Sequence, residues 1–555
     1  MVLSTLPPEQ PGPPTWRVRL VRELPLILGL LIGLVFVLHP GWVRFGYPCG
    51  ADWDTYLSSA GHLWLDPALH RYNEWRQPTF PWLIGWLGGG SSYVLAAQWL
   101  ALVSTAGTGC GGGLLGRALA GAWAGGLAAV STAFLTVVVD GSLWVNPYPL
   151  VGALTALALA LSACCARWPR VALAMGAGLV AGLCWAVDPR GLPVAVAAPL
   201  LVALAPMGWR RRGLFVALAL AGLVAGKGLD HGLQAHFELD LRPLASQLSL
   251  QSAETRGPDA PIDGATLSEL EACRTSRTTG LGLHRLLDDC ASQRRELNLQ
   301  GLRDRDHLPP VAPALALLAL CMVPGRWGRR SSLASALVYL PSAAVLVVGL
   351  SWVPYVDRYL LPGAALLGTL APVALVRLGG LVAWRWPGLR WSVLPGPLAA
   401  AAWVVLVWPG VNPGDLLSPL DHMDRRDTEQ PTALDARQAL ADWAVEAIGP
   451  DDLLLDCSEI RLKTLLLPSS IPVWDAPPHD ALCRKAMKEP RRIDGALWLL
   501  TVHQRGRQPD PRLEPPDRVA EFGWVEVPLD LDLEPGTHAA RRASWLRRWR
   551  WPEQP

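Results

Sequence analysis

Apolar runs separated by short polar joints recur along the chain up to about residue 410, and the residues after that point are mostly polar. An α-helix needs about 20 predominantly apolar residues to cross the hydrocarbon core of a bilayer. Charged residues make up only 17% of the sequence, whereas soluble proteins carry about 25%. We therefore expect a polytopic α-helical membrane domain over 24–410, an N-terminal segment over 1–23 and an extramembrane domain over 411–555.

The sequence predicts eleven membrane-spanning helices. They lie near Leu24–Val43, Tyr93–Leu115, Ala118–Val139, Pro147–Ala166, Val171–Val187, Gly191–Pro206, Gly213–Leu229, Pro310–Val323, Ser332–Trp352, Tyr359–Val376 and Val393–Trp408. The first of them is expected to remain uncleaved, because no small-x-small site follows it. The segment Phe80–Gly88 is too short to span, and it predicts an interfacial helix with Trp82 and Trp86 at the level of the lipid headgroups.

Basic residues occupy alternate joints between the predicted spans. If the N-terminus lies inside, no joint between spans on that side holds an acid. Each of those joints holds arginines, at Arg117, Arg167, Arg170, Arg210–Arg212, Arg326–Arg330, Arg377, Arg385 and Arg390. Cytoplasmic loops carry this excess of basic residues. The sequence therefore predicts a cytoplasmic N-terminus, with a first loop (44–79), a large loop (230–309) and the C-terminal domain outside.

The source of the chain is indicated by its composition. Only four of the 49 basic residues are lysines, and Ala, Gly, Leu and Pro are abundant. This bias is typical of GC-rich bacterial genomes, so we expect an integral protein of a bacterial cytoplasmic (inner) membrane. The arginines stand at segment ends and form no single basic patch, which argues against nucleic-acid binding.

The first outer loop carries two aspartates, Asp52 and Asp54, directly after the first span. Asp52, Tyr56 and Ala60 are spaced by four residues, so a helix that starts here places them on one face. The loop ends in the Trp- and Pro-containing stretch YNEWRQPTFPW, which returns the chain to the membrane. A carboxylate fixed at the headgroup level, with arginines nearby, suits chemistry on a lipid-borne phosphate. The alternative is a solvated loop with ordinary acids.

Two segments resemble GT-C-fold glycosyltransferases, specifically the glycosyltransferase family 39-like group of protein-mannosyltransferases and aminoarabinose transferases. The first segment joins an Asp four residues before a Tyr, in DWDTYLSSA, to an Arg-x-Pro-x-x-Pro pattern, in RQPTFPW. The second is SWVPYVDRYLLPGAALLGTLAPVAL (Ser351–Leu375), in which an outside Arg-Tyr opens an apolar helix. The span count, the orientation and the outer C-terminal domain are also similar to that family.

The resemblance implies an enzyme that takes a sugar from a polyprenyl-phosphate donor at the outer face and passes it to a hydroxyl of a lipid, glycan or protein. It implies that a first-loop aspartate acts as general base. This is Asp52 or, because Trp53 separates two acids that are often adjacent in the family, Asp54. Divalent metal binding by this Asp-x-Asp pair is the alternative. Nucleotide sugars, which such metal sites serve, are cytoplasmic, so no metal or other cofactor is predicted.

Arginines suit the departing phosphate, because a guanidinium binds phosphate bidentately and stays charged. The candidates on the predicted outer face are Arg358, which opens a span and is favoured, and Arg76, Arg190 and Arg71. Supporting positions in the substrate site are Tyr56, Tyr359, Asp357 and Asp140.

Two groups of polar residues lie at the outer ends of predicted spans. The turn Asp188-Pro189-Arg190 is either a capping turn with a local ion pair or part of the donor-phosphate site. Lys227, Asp230 and His231 end the seventh predicted span, where long basic side chains extend to the interface.

Two other functions compete with transfer. A transporter or flippase of lipid-linked sugars would bury polar residues near the bilayer midplane, but the predicted spans hold almost no charge there. A non-catalytic membrane scaffold is the second alternative.

The C-terminal region predicts a small α/β domain. An amphipathic pattern over 433–449 indicates a helix, and apolar segments within 451–458, 471–477, 495–503 and 522–531 indicate strands. The basic, Trp-rich end, RRASWLRRWRWPEQP, predicts either contact with anionic headgroups or glycan or a frayed tail. Possible disulfide pairs in an oxidising compartment are Cys273 with Cys290 and Cys457 with Cys483, free thiols being the alternative.

Overall fold

A computed structural model of the full chain describes residues 16–37, 53–65, 72, 76–88, 93–133, 135, 146–239, 241, 315, 334, 336–339, 361–385 and 395–407. In the C-terminal region it describes 444–446, 448–449, 453–456, 473–475, 496–502, 525–527 and 544–550. The predicted large outer loop, the possible disulfide cysteines and most of the spans predicted near 310–323 and 332–352 lie outside these residues.

Helices dominate the described residues up to 407. They are α1 (Trp16–Val37), α2 (Trp53–Trp64), α3 (Thr79–Gly88), α4 (Tyr93–Ala120), α5 (Ala122–Ala133), α6 (Tyr148–Arg167), α7 (Val171–Val187), α8 (Leu192–Ala203), α9 (Trp209–His236), α10 (Leu361–Arg385) and α11 (Pro395–Val407). A single 3₁₀ turn, Pro189–Gly191, joins α7 to α8.

Among the described residues, α6 and α9 are long and apolar enough to cross a membrane. Shorter apolar helices run over Val171–Val187, Pro189–Ala203 and Ala365–Gly380. The predicted bounds of α6 and α7 are confirmed to within one residue, because Arg167, Trp168 and Arg170 mark the joint between them. The short helix predicted before the second span is confirmed as α3, and the rings of Trp82 and Trp86 are stacked 6.2 Å apart.

Some helices extend beyond the spans predicted for them. Helix α1 begins at Trp16 rather than at Leu24. Within it, Glu23 accepts two hydrogen bonds from the guanidinium of Arg117 on α4, each of 2.7 Å. Helix α9 runs to His236, seven residues past its predicted end, so the polar residues that were expected to follow a span lie within a helix.

Helices α7 and α9 approach each other through glycines. Gly178 and Gly182 on α7 face the backbone of α9, and Gly222 and Gly226 on α9 face the backbone of α7. A Cβ atom at any of these positions would overlap a carbonyl oxygen of the opposite helix. Small residues permit this close backbone approach between membrane helices, where dispersion contacts replace the hydrophobic effect as the driving force.

The two ends of the bundle differ in character. At one end α2 and α3 cover the start of α4 and α6 and the end of α7 through one apolar cluster. The cluster contains Tyr56, Leu57, Ala60, Phe80, Ile84, Tyr93, Ala97, Val151, Cys184 and Val187. The other end is basic, and there the guanidinium groups of Arg117 and Arg167 lie 5.2 and 4.9 Å from the ring centre of Trp168.

A five-stranded sheet forms in the C-terminal region. Its strands are β1 (Leu453–Asp456), β2 (Val473–Asp475), β3 (Ala496–Val502), β4 (Val525–Val527) and β5 (Ser544–Arg550), in the order β2-β1-β3-β5-β4. Strands β1, β2 and β3 are parallel, and β5 is antiparallel to both β3 and β4. The four predicted strands are confirmed. The expectation of a frayed end is wrong for 544–550, because β5 pairs with all seven residues of β3.

Candidate functional site

Helix α2 places the residues of the first predicted outer loop. It begins at Trp53, so Asp54 is its second residue, while Asp52 and the side chain of Asp54 lie outside the described part of the chain. One turn further on, Tyr56 is 3% exposed. Its ring meets Phe80 of α3 edge-on, with ring centres 5.2 Å apart. The start of α2 is therefore held by an aromatic contact with α3.

Arg76 precedes α3 and lies against α2. Its guanidinium carbon is 4.8 Å from the ring centre of Tyr56, a cation–π geometry. The hydroxyl of Tyr72 donates a 2.8 Å hydrogen bond to the backbone carbonyl of Arg76. Burial, and after it the nearby negative charge of Asp230, raises the pKa of Tyr72 well above its usual value of 10.0. Tyr72 therefore stays a neutral donor, and Arg76 is fixed at both its backbone and its side chain.

Arg190 is placed by the turn that ends α7. The carboxylate of Asp188 accepts the Arg190 backbone N–H at 2.9 Å, and its second oxygen lies 3.8 Å from a guanidinium nitrogen. The predicted capping turn with a local ion pair is therefore confirmed. The guanidinium carbon lies 4.6 Å from the ring centre of Tyr148. Tyr148 opens α6, is fully buried, and has its N–H bound by the side chain of Asn146 at 2.9 Å.

Arg76 and Arg190 lie at the same end of the bundle. The ring of Tyr56 lies under the Arg76 guanidinium, and Tyr56 belongs to the same buried cluster as Val151 and Val187. Val151 is one turn from Tyr148 on α6, and Val187 directly precedes Asp188. Two arginine–tyrosine stacks, formed by distant parts of the chain, are thus joined by a common core next to α2.

The C-terminal part of α9 adds a buried carboxylate to this end. Asp230 is fully buried, and it accepts hydrogen bonds from Lys227 and, at 3.1 Å, from Gln234. The side-chain amide of Gln77 donates to both carboxylate oxygens, at 2.7 and 3.0 Å, because the opposite orientation would turn its own oxygen toward them. The ammonium nitrogen of Lys227 also lies 5.2 Å from the ring centre of Trp185.

Asp230, which the sequence placed at the end of a span, is buried within a helix that continues to His236. The signal was available in the sequence: Lys227, Asp230 and Gln234 have the i, i+3 and i, i+4 spacings of neighbours on a helix. The apolar run stops at 229, but the helical pattern of polar residues continues. Gln77 and Tyr72 carried no such signal, because their roles depend on contacts between distant segments.

Thr79 is the first residue of α3 and is 1% exposed. Within the part of the chain that the structure describes, its buried hydroxyl makes no hydrogen bond. Trp82 N–H bonds to the carbonyl of Pro78, and Pro81 has no N–H. Among the described residues, the N–H groups of Thr79 and Phe80 at the start of α3 make no hydrogen bond.

The other predicted site residues fall outside the described ranges. These are Arg358, Arg71, Tyr359, Asp357, Asp140 and the cysteines Cys273, Cys290, Cys457 and Cys483. Among the residues that are described, no group of three or more His, Cys, Asp or Glu side chains is arranged to hold a metal ion.

Two solved structures of ArnT share the fold of this chain. ArnT from Cupriavidus metallidurans, bound to undecaprenyl phosphate, superposes with a TM-score of 0.56 at 15% identity, covering 94% of this chain and 97% of ArnT. Its apo form gives a TM-score of 0.53 at 16% identity over the same shares. An oligosaccharyltransferase from Archaeoglobus fulgidus, tethered to an acceptor peptide, gives 0.45 at 12% identity, covering 83% and 64% of the two chains.

No protein-family model and no curated protein sequence matches the chain. The similarity to ArnT extends over nearly the whole length of both chains. The chain is therefore mostly helical and shares the fold of ArnT, and the resemblance of the sequence to GT-C-fold glycosyltransferases is confirmed at the level of the fold.

Proposed function

We propose that the protein is a membrane glycosyltransferase that moves a sugar from a polyprenyl-phosphate donor to a hydroxyl of a lipid, glycan or protein. One observation carries this proposal. Arg76 and Arg190 are each stacked on a buried tyrosine and lie at one end of the bundle, in a fold shared with an ArnT structure that contains undecaprenyl phosphate.

The stacking suits phosphate binding. A guanidinium centred over an aromatic ring is attracted to the ring face, and its planar fork of N–H groups can give a phosphate two parallel hydrogen bonds. Cation–π contacts contribute about 0.5–2 kcal/mol each, so both arginines are held in place before a ligand arrives. Such preorganised positive charge stabilises the anion that develops as a phosphate departs.

The transfer itself needs one proton acceptor. The acceptor oxygen attacks the anomeric carbon of the sugar, the bond from that carbon to the phosphate oxygen breaks, and polyprenyl phosphate leaves. The acceptor proton goes to an aspartate at the start of α2, Asp52 or Asp54. The start of a helix favours a carboxylate in its charged form, and the Tyr56–Phe80 contact supports a fixed position for this end of α2.

We infer that the end of the bundle that carries Arg76 and Arg190 faces the outside of a bacterial cytoplasmic membrane. The opposite end carries Arg117 and Arg167, beside Trp168, as the positive-inside rule expects for a cytoplasmic face. In this arrangement the chain has eleven spans over 24–410, and 411–555, which contains the five-stranded sheet, is an extracytoplasmic domain.

Transfer of radiolabelled sugar from a panel of polyprenyl-phosphate sugars tests the proposal in proteoliposomes. Wild type is compared with Asp52→Asn and Asp54→Asn, each checked for folding by gel filtration. Loss of a general base lowers the rate by about 100-fold or more, so one of the two variants is expected to lose that much. Equal activity in all three proteins would place the base elsewhere. If no donor supports transfer by wild type, the glycosyltransferase proposal fails.

A further inference from the structure

Asp230 is a buried charge on α9 that the proposed reaction does not use. Its side chain is fully excluded from solvent, yet it accepts hydrogen bonds from Lys227, Gln234 and Gln77. Burial of an isolated carboxylate is strongly unfavourable, so buried charges are paired and hydrogen-bonded. The arrangement satisfies that requirement with one cation and two amides.

The three donors differ in what they connect. Lys227 and Gln234 belong to α9 itself, so their contacts with Asp230 lie within one helix. Gln77 belongs to the segment between α2 and α3. Its amide reaches both carboxylate oxygens, and this contact ties the segment to α9.

Gln77 directly follows Arg76, so the contact acts on the residue that we assign to the donor phosphate. Three contacts among the described residues hold the segment. The ring of Tyr56 lies under the Arg76 guanidinium, the Tyr72 hydroxyl binds the Arg76 carbonyl, and Asp230 binds the neighbouring side chain of Gln77. The first two contacts come from α2 and the segment itself, and the third comes from α9.

We propose that Asp230 is a positioning residue. Through its hydrogen bonds to Gln77 it fixes Arg76 where the phosphate of the lipid-linked donor binds. A carboxylate serves this purpose because both of its oxygens only accept, whereas an amide at this position would turn N–H groups toward Lys227 or Gln77. Lys227 balances the charge, so that Asp230 can remain buried and direct its oxygens toward Gln77.

This inference rests on the proposed function, and a matched pair of variants tests it. Gln77→Ala and Gln234→Ala each remove one amide donor from Asp230, but only the first releases the Arg76 segment. The measurements are binding of undecaprenyl phosphate to the purified full-length protein in lipid nanodiscs and the donor KM and kcat of transfer. Gln77→Ala is expected to weaken binding and raise KM by about tenfold, with a smaller change in kcat. Gln234→Ala is expected to stay within about twofold of wild type.

An Arg76→Ala background separates positioning from a general structural role. If Asp230 acts through Arg76, adding Gln77→Ala to Arg76→Ala should weaken lipid binding no further. Wild-type binding combined with equal effects of Gln77→Ala and Gln234→Ala, or with no effect of either, would overturn the inference and leave the proposed function intact. Absence of both lipid binding and transfer in wild type would overturn the proposed function, and the inference with it.

Discussion

The guanidinium of Arg190 lies over the ring of Tyr148, with 4.6 Å between its carbon and the ring centre. The two residues come from different helix ends: Tyr148 opens α6, and Arg190 follows α7. Asp188 holds the Arg190 backbone, while Asn146 holds the N–H of Tyr148. Local hydrogen bonds and one aromatic face at this end of the bundle therefore help to position the arginine.

Arg190→Lys is expected to lower kcat/KM for the lipid-linked donor by about 10- to 150-fold, the equivalent of about 1.5–3 kcal/mol for hydrogen bonds to a charged group. Lysine keeps the charge, but it lacks the planar fork that stacks on Tyr148 and binds phosphate bidentately. The measurement is transfer at varied donor concentration.

Arg170→Lys is the matched control for this variant, because Arg170 is exposed at the opposite end of the bundle, between α6 and α7. It should retain wild-type kinetics. Equal kinetics for both variants would remove Arg190 from the donor site.

Gly226→Ala and Gly228→Ala should change stability in opposite directions, although both lie on α9. A Cβ at Gly226 would overlap the carbonyl oxygen of Leu179, whereas nothing lies within 4 Å of a Cβ at Gly228. Overpacking costs about 1–3 kcal/mol, and Gly to Ala within a helix gains about 0.5–1 kcal/mol. Thermal unfolding of the purified proteins in detergent measures both. Equal shifts would mean that α7 and α9 are not in close backbone contact.

The helices were the most predictable part of the fold. Arginine joints at Arg167 and Arg170 separate apolar runs, and this contrast alone fixes α6 and α7 to within a residue. The short α3 could be predicted because FPWLIGWLG is apolar, is too short to span a membrane and carries two tryptophans that suit an interface. The apolar strands of the sheet, such as β1 and β3, were predictable. Their short runs of apolar residues stand in a polar region, where such runs indicate buried strands.

Contacts between distant segments were not predictable from local pattern. Arg76 and Arg190 were both candidates, yet their partners Tyr56 and Tyr148 are 20 and 42 residues away from them in sequence. The Gln77–Asp230 contact joins a residue between α2 and α3 to a residue on α9, so hydropathy gives no sign of it. Strand β5 was not predicted, because the arginines in its sequence suggest exposure. These residues form a strand because they pair with β3.

Thr79→Val should leave the stability of the protein unchanged or raise it slightly. The buried hydroxyl of Thr79 makes no hydrogen bond within the described residues, so the isosteric methyl removes a desolvation cost without removing a bond. Thr105→Val is the comparison, because the Thr105 hydroxyl donates to the carbonyl of Ala101 at 2.9 Å. That change is expected to lower stability by about 1 kcal/mol. A larger loss at Thr79 than at Thr105, by thermal unfolding, would indicate a partner for the Thr79 hydroxyl.

Labelling from one side of the membrane tests which end of the bundle faces outward. Leu65 follows α2 at the end that carries Arg76, and Gly208 precedes α9 at the opposite end. Leu65 is exposed, and a Cβ at Gly208 meets nothing within 4 Å. In a variant without the native cysteines, a membrane-impermeant maleimide should label Leu65→Cys in intact spheroplasts and Gly208→Cys only after permeabilisation.

The reverse pattern would put Arg76 and Arg190 in the cytoplasm, where nucleotide sugars are found, and would remove the reason for preferring a lipid-linked donor. Labelling of both positions from outside would mean that the helices between them do not cross the membrane an odd number of times, and the eleven-span arrangement would have to be abandoned.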